Sequence, residues 1–296
     1  MLAKIIPLAL LIFSTNLLVA QEEDLLSLLG PEEETTEYTD ASFKTNRVVN
    51  LHSLESTAAG VLDFKISHRF GFLSGGFYEM FGLDDAQIRL GFDYGITNRL
   101  TVGVGRSSLE KAYDGYIKYK LLRQSTGKRN MPVTLALLAT TAVQTLKWQE
   151  PDRENYFSSR LFYTFQLIVG RKFSERFSLQ LSPTVVHRNL VATKSEKHDV
   201  YGLGVGGRIK LTKRIALNGE YTFVLPDQLA ERYNNGLSVG FDIETGGHVF
   251  QLHFTNSTGM IEKAFFTENS GSWSNGDIHF GFNISRVFTL KRYGEE

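Results

Sequence analysis

Ile88-Arg89-Leu90-Gly91-Phe92-Asp93-Tyr94 is the stretch that decides the fold. Ile88, Leu90, Phe92 and Tyr94 occupy one parity, and Arg89, Gly91 and Asp93 the other. Successive side chains of a strand point to opposite faces, so the segment reads as a strand with one oily side and one wet side. The alternation recurs in both directions from there, in about a dozen segments between Val61 and Leu290. Strands are expected near 60–70, 86–95, 99–108, 113–123, 132–146, 159–171, 176–188, 198–211, 214–225, 236–244, 248–256 and 277–290.

The connections sort by length. Those after the first, third and later odd strands are mostly long, as in 72–85, 147–158, 189–197, 226–235 and 257–276. The even ones are mostly tight, as in Ile96-Thr97-Asn98 and Thr245-Gly246-Gly247, with 124–131 as the exception. Membrane barrels have this asymmetry, and a tilted strand needs about 9 to 11 residues to cross the hydrocarbon core. The expected fold is therefore all-β: an antiparallel up-and-down transmembrane β-barrel of about 12 strands with a short N-terminal extension or plug. An even strand count puts both termini on one side, the periplasmic side for an exported chain.

The ends agree with export. Lys4, the apolar run Ile5 to Val19, and Ala20 before Gln21-Glu22-Glu23-Asp24 read as a signal peptide over 1–20. Residues 21–59 form an acidic periplasmic extension, disordered over 21 to about 42, whose Val48-Val49-Asn50-Leu51-His52 can lie in the barrel opening as a plug. The barrel proper is 60–290, and 291–296 is a short tail. The chain has no cysteine, which removes disulfides, thiolate metal sites and N-terminal lipid attachment through sulfur. With 32 basic and 32 acidic residues it has no basic excess, so no nucleic-acid partner is expected.

The oily parity (Leu62, Phe64, Ile66; Leu100, Val102, Val104; Phe165, Leu167, Val169; Leu237, Val239, Phe241) is expected to meet outer-membrane lipid. Tyr94, Tyr113, Phe177 and Phe223 are expected in its aromatic girdles. The wet parity gives the candidate lumen-lining residues: Asp63, Lys65, Arg69, Arg89, Asp93, Asp114, Lys118, Lys120, Arg208, Lys210, Glu220, Asp242, Glu244, His253 and His279. Their mixed signs predict ion-pair networks with water and little ion preference. Inward glycines such as Gly91, Gly103, Gly105, Gly204, Gly206, Gly240 and Gly281 leave space or let strands bend.

Catalytic and metal readings find little support. His253 and His279 sit inward on the last two strands and suggest a hydrogen-bonded pair, but a zinc site needs a third ligand that the sequence does not offer. Ser67–His68 point to opposite faces, and Ser182 with His187 is the one other nearby pair for an ester hydrolase. No catalytic residue, metal or cofactor is expected. Asn283, Ser285, Phe288 and Leu290 partly match the spacing of the C-terminal signal read by barrel assembly machinery.

Five strings carry a resemblance: Asn50-Leu51-His52-Ser53-Leu54-Glu55, His68-Arg69-Phe70-Gly71, Tyr78-Glu79-Met80-Phe81-Gly82-Leu83, Tyr94-Gly95-Ile96-Thr97 and Gln251-Leu252-His253-Phe254-Thr255-Asn256. The chain resembles an uncharacterised outer-membrane β-barrel family of Bacteroidota, grouped as a domain of unknown function, from about Arg47 to Phe288. The resemblance implies a barrel and a compartment, and brings no activity and no catalytic residues. The expected function is a narrow porin-like channel or small-solute transporter. A closed, plugged barrel acting as an envelope scaffold or docking partner is the alternative, with a periplasmic partner reached through residues 21–59. An outer-membrane lipid hydrolase ranks third.

Overall fold

The computed structural model describes residues 34–292. The signal segment, residues 21–33 of the extension and residues 293–296 of the tail lie outside the described residues. Twelve antiparallel strands form one closed barrel: β1 Val61–Phe72, β2 Ala86–Gly95, β3 Leu100–Ser107, β4 Tyr113–Leu122, β5 Thr134–Val143, β6 Leu161–Lys172, β7 Phe177–Arg188, β8 Asp199–Lys210, β9 Ile215–Val224, β10 Gly236–Thr245, β11 His248–Thr255 and β12 His279–Thr289. Each strand pairs with its sequence neighbours, and β12 closes on β1 through pairs such as Ser285↔Lys65 and Thr289↔Val61. Closure removes free strand edges, which lipid could not hydrogen-bond.

Alternation then fixes which side each residue meets. On β2, Leu90 and Phe92 are exposed while Arg89, Gly91 and Asp93 between them are buried. Over the whole barrel, Val104 is 60% and Phe165 57% exposed, whereas Lys118 is 0% and Arg69 1% exposed. In water such an apolar exterior would be untenable; against hydrocarbon it is required. Arg286, on the outward parity, lies near the end of β12 with its guanidinium 5.0 Å from the Phe288 ring centroid, as a snorkelling cation does.

Two structured pieces occupy the interior, alongside ion pairs such as Lys65–Asp93. The first is residues 42–57, nearly all buried. Lys44 pairs with Glu244 beside the β10–β11 turn at 2.6 Å, and Gly60 N–H donates to Gly95 O beside the β2–β3 turn at 2.8 Å. Both ends of the segment therefore lie at the short-turn end. Between them the chain runs in and back as a hairpin, with an Arg47↔His52 bridge and Val48 N–H donating to Leu51 O at 2.8 Å. The sequence reading sets this segment in the barrel opening; it reaches deep into the lumen, because Val48, Leu51 and Leu54 have apolar inward partners there.

The second piece is α1, Glu262–Thr267, all six of whose residues are buried. It belongs to the long β11–β12 connection and packs against β6, β7 and β9 from the long-loop end. Phe265 and Phe266 join Val48, Leu51 and Leu54 in one apolar cluster with the inward residues Ala136, Leu138, Ile168, Val186 and Val200.

A separate small unit contains residues 34–37 and Thr126–Asn130. Thr36–Tyr38 pairs with Ser125–Gly127 as a two-stranded sheet, where the sequence reading expects a disordered leader. The backbone of residues 36–38 finds its partners in residues 125–127, and pairing overrides poor strand propensity.

Candidate functional site

The hairpin tip and one carboxylate form the centre of the lumen. Glu220, inward on β9, accepts backbone N–H bonds from Val49 at 3.0 Å, Asn50 at 2.8 Å and Leu51 at 2.9 Å. A tight turn aims successive N–H groups into one concavity, and a carboxylate fits it as a bound anion would. Ser238 Oγ also donates to Glu220, at 3.1 Å. The outer side of the tip is held by amides: Gln251 Nε2 donates to Val48 O at 2.9 Å and Asn283 Nδ2 to Val49 O at 3.0 Å. Gln180 Nε2 donates to His52 O at 2.7 Å, and Gln180 Oε1 accepts from Leu54 N–H at 3.1 Å.

Glycines shape the wall behind the hairpin. A Cβ on Gly204 would stand 2.9 Å from Leu51 Cδ2, and one on Gly206 3.0 Å from Val48 Cγ2. At Gly170 it would stand 2.7 Å from Leu54 Cδ1. Gly204 and Gly206 leave space, as expected, and the hairpin takes it, as it does at Gly170, which the sequence reading does not name.

The two inserted pieces meet at Glu262. Arg47 Nη1 lies 2.6 Å from Glu262 Oε1, with both side chains nearly solvent-free. The same nitrogen donates to Asn50 O at 2.7 Å, and His52 Nε2 lies 3.4 Å from the same carboxylate oxygen. Behind α1, Lys263 is held by Glu110 and, at 2.8 Å, by Glu268. Burial pushes the Glu268 carboxyl above its ordinary range, against the opposing pull of Lys263.

The residues named from sequence distribute around this assembly. Lys65 bridges Asp93 at 2.6 Å and Asp63 at 3.3 Å. Arg89 binds Asp114 with two hydrogen bonds, Nε to Oδ1 at 2.9 Å and Nη2 to Oδ2. Arg69 donates to Asn50 Oδ1 at 2.8 Å, Lys118 to the carbonyls of Ser53 and Glu55, and Gln251 to Asp242 at 2.8 Å. Glu244 takes Lys44. Arg208 is buried, Lys120 and Lys210 half-buried, and none of the three has an ion-pair partner among the described residues.

His253 and His279 do not form the expected pair. His253 faces Gly281 and His279 faces Thr255, so the two are offset by two residues. His279 instead bonds Phe70 O at 2.6 Å and Thr258 Oγ1 at 2.8 Å. Ser182 is buried on the inward parity, whereas His187 lies on the outward one and bonds Asp199 at 2.7 Å. Among the described residues no group of three or more His, Cys, Asp or Glu side chains is placed to hold a metal ion.

Arg47, Glu262, Phe265 and Phe266 are missing from the sequence-derived set. One signal points toward them. Strand β5, Thr-Leu-Ala-Leu-Leu-Ala-Thr-Thr-Ala-Val, is apolar on both parities, which a water-lined lumen does not need and an inserted apolar body does.

A closed ring of twelve strands, apolar outside and polar inside, is a transmembrane β-barrel. The chain belongs to the family described as a membrane bound beta barrel domain (DUF5777), which matches residues 43–288. That match includes the luminal hairpin as well as the strands. Among solved structures, the NanC porin aligns at 8% identity over 78% of this chain and 100% of its own, with a TM-score of 0.48. The outer membrane protein Omp33 of Acinetobacter baumannii aligns at 9% identity over 77% and 97%, with a TM-score of 0.39. The CymD monoaromatic hydrocarbon channel aligns at 8% identity over 80% and 90%, with a TM-score of 0.34. No curated protein sequence matches the chain.

Proposed function

We propose that the protein is an outer-membrane channel for a small solute, held shut at rest by its luminal hairpin and α1. The observation that carries this reading is the Arg47–Glu262 contact. It joins two segments that belong to neither the strand ring nor each other, one entering from each end of the barrel. A barrier made of separable pieces can open without breaking an inter-strand hydrogen bond, at the cost of the hairpin's bonds to wall side chains such as Glu220 and Gln251. Along the chain the hairpin is continuous with the ring only through β1, and α1 only through two long loop arms.

In this reading both termini lie in the periplasm, the hairpin is a plug, and no step of catalysis takes place. Lys44–Glu244 guards the short-turn entrance, beside a cleft of about 550 Å³ that also includes Asp63 and His248. The second reading is a permanently closed barrel serving as an envelope scaffold, and the three N–H bonds to Glu220 together with the apolar cluster favour it. Partner contact would then fall to residues ahead of the hairpin, and barrel assembly machinery would act only during insertion.

Single-channel recording of refolded protein separates the two readings. The channel reading expects rare, brief openings from the full chain and sustained conductance when residues 42–57 are replaced by a flexible linker of equal length. Silence from both proteins, with heat-modifiable folding confirmed on a gel, would leave the scaffold reading standing.

A further inference from the structure

The long-loop end carries a cavity that lies outside the lumen machinery. Residues 144–160, the connection between β5 and β6, enclose about 310 Å³, with Leu190 from the β7–β8 connection on one side. That volume is at the small end of ligand pockets and suits one or two sugar rings. The organising element is a cation–aromatic platform: the Arg160 guanidinium stands 3.7 Å from the Trp148 ring centroid. Arg160 Nη1 donates to Gln144 O at 2.9 Å, which fixes the platform to the strand end.

Three chemical features converge there. Arg153 and Lys147 line the cavity with no ion-pair partner among the described residues, and Arg160 adds a third cation. The single carboxylate of the lining is Glu150, so a positive excess remains for an incoming anion. Asn155 Nδ2 is committed to the carbonyls of Glu150 and Arg153, at 2.9 and 2.8 Å, and Gln144 Nε2 to Glu110 Oε1 at 3.1 Å. The amide oxygens of both remain as acceptors for hydroxyl donors. The indole, with Leu146 and Leu190, supplies a flat apolar surface of the kind that takes the C–H face of a pyranose.

Cations for a carboxylate, amide oxygens for hydroxyls and an indole for a ring face describe one ligand class. We propose that this cavity binds an acidic saccharide, with its carboxylate on Arg153 and Lys147 and its ring against Trp148. The assignment does not require the lumen to open. It is a recognition site on the face of the barrel that carries the long loops.

The chain has two tryptophans, Trp148 and Trp273, so the Trp273→Phe protein reports on the cavity alone. Titration with glucuronate should give a saturable change in Trp148 emission, and glucose or acetate at matched ionic strength should give none. Arg153→Gln in the same background should weaken glucuronate about tenfold, the loss of one charge-assisted hydrogen bond. Equal responses to glucose or acetate, a response that does not saturate, or unchanged affinity in Arg153→Gln would overturn the assignment. Should Trp273→Phe fail to fold, the difference between the wild type and Trp148→Phe gives the same readout.

Discussion

Arg47 and Glu262, 215 residues apart in sequence, meet at 2.6 Å inside the barrel and join its two inserted segments. Removing one partner of a buried pair leaves an uncompensated charge and costs about 3–5 kcal/mol. The barrel strands do not share that pair, so the penalty falls on docking of the hairpin against α1. Glu262→Gln should therefore raise open probability in planar bilayers by orders of magnitude with little change in barrel melting. The double variant Arg47→Met with Glu262→Met removes both charges and should close the channel again. Equal conductance of the single and double variants would show that the pair does not hold the barrier.

Gly204 and Leu51 provide a steric test of the same barrier. A Cβ at Gly204 would lie 2.9 Å from Leu51 Cδ2, and overpacking of this kind costs about 1–3 kcal/mol. Gly204→Leu should expel the hairpin. The chain has no cysteine, so Leu51→Cys gives a clean labelling site. It should resist a membrane-impermeant maleimide alone and react quickly when combined with Gly204→Leu. Gly219→Leu is the control, because a Cβ there meets only Ser238 O, at 4.0 Å. Fast labelling in the control would rule out the steric account.

The barrel is legible in the sequence because its physics has a period of two. Arg89 and Asp93 are separated from Leu90 and Phe92 by alternation alone, so face and burial follow from residue order. The hairpin has no such period. Val48, Val49, Leu51 and Leu54 are scattered apolar residues among polar ones, and only the facing wall gives Val48, Leu51 and Leu54 their place in the apolar cluster. Six residues of α1 are likewise too few for a helical repeat to register. The inward glycines are visible as gaps, yet a gap in sequence does not say whether water or Leu51 fills it. His253 and His279 share an inward parity, but their offset by two residues is set by register, which alternation does not determine.

Glu220 should anchor the hairpin tip more strongly than any other single wall residue. It receives three backbone N–H bonds, and hydrogen bonds to a charged group contribute about 1.5–3 kcal/mol each, not additively. Glu220→Gln should sharply increase proteolysis between residues 41 and 59 in detergent while leaving the strands protected. Glu244→Gln removes only the half-exposed Lys44 pair and should change cleavage little. Similar cleavage in the two variants would place the anchor elsewhere.

The acid behaviour of α1 follows from Glu268. Burial raises its carboxyl above the ordinary 4.5, so between 4.5 and the raised value docked α1 binds more protons than released α1. This contribution to docking is complete below pH 4.5 and is lost as pH rises through the raised pKa. Open probability should therefore climb with pH from 4.5 upward, and Glu268→Gln should flatten the climb. An identical slope in the variant would assign the pH response to another group.

Leu90 offers the direct test of the membrane-facing surface, because it lies midway along β2 on the outward parity while its neighbour Arg89 is buried inward. An arginine placed outward at mid-membrane must shed its hydration, which costs about 2–4 kcal/mol in a barrel. Leu90→Arg should reduce stability by that amount in urea-driven refolding into lipid vesicles. Ile215→Arg, at the first residue of β9 on the outward parity, should cost far less, since a cation there can snorkel to the interface. The argument turns on the difference between the two sites: in a soluble fold both positions are simply solvent-exposed, and both substitutions would be nearly neutral. Only a surface whose tolerance for charge varies with depth separates them, so equal and small effects would remove the lipid from this account.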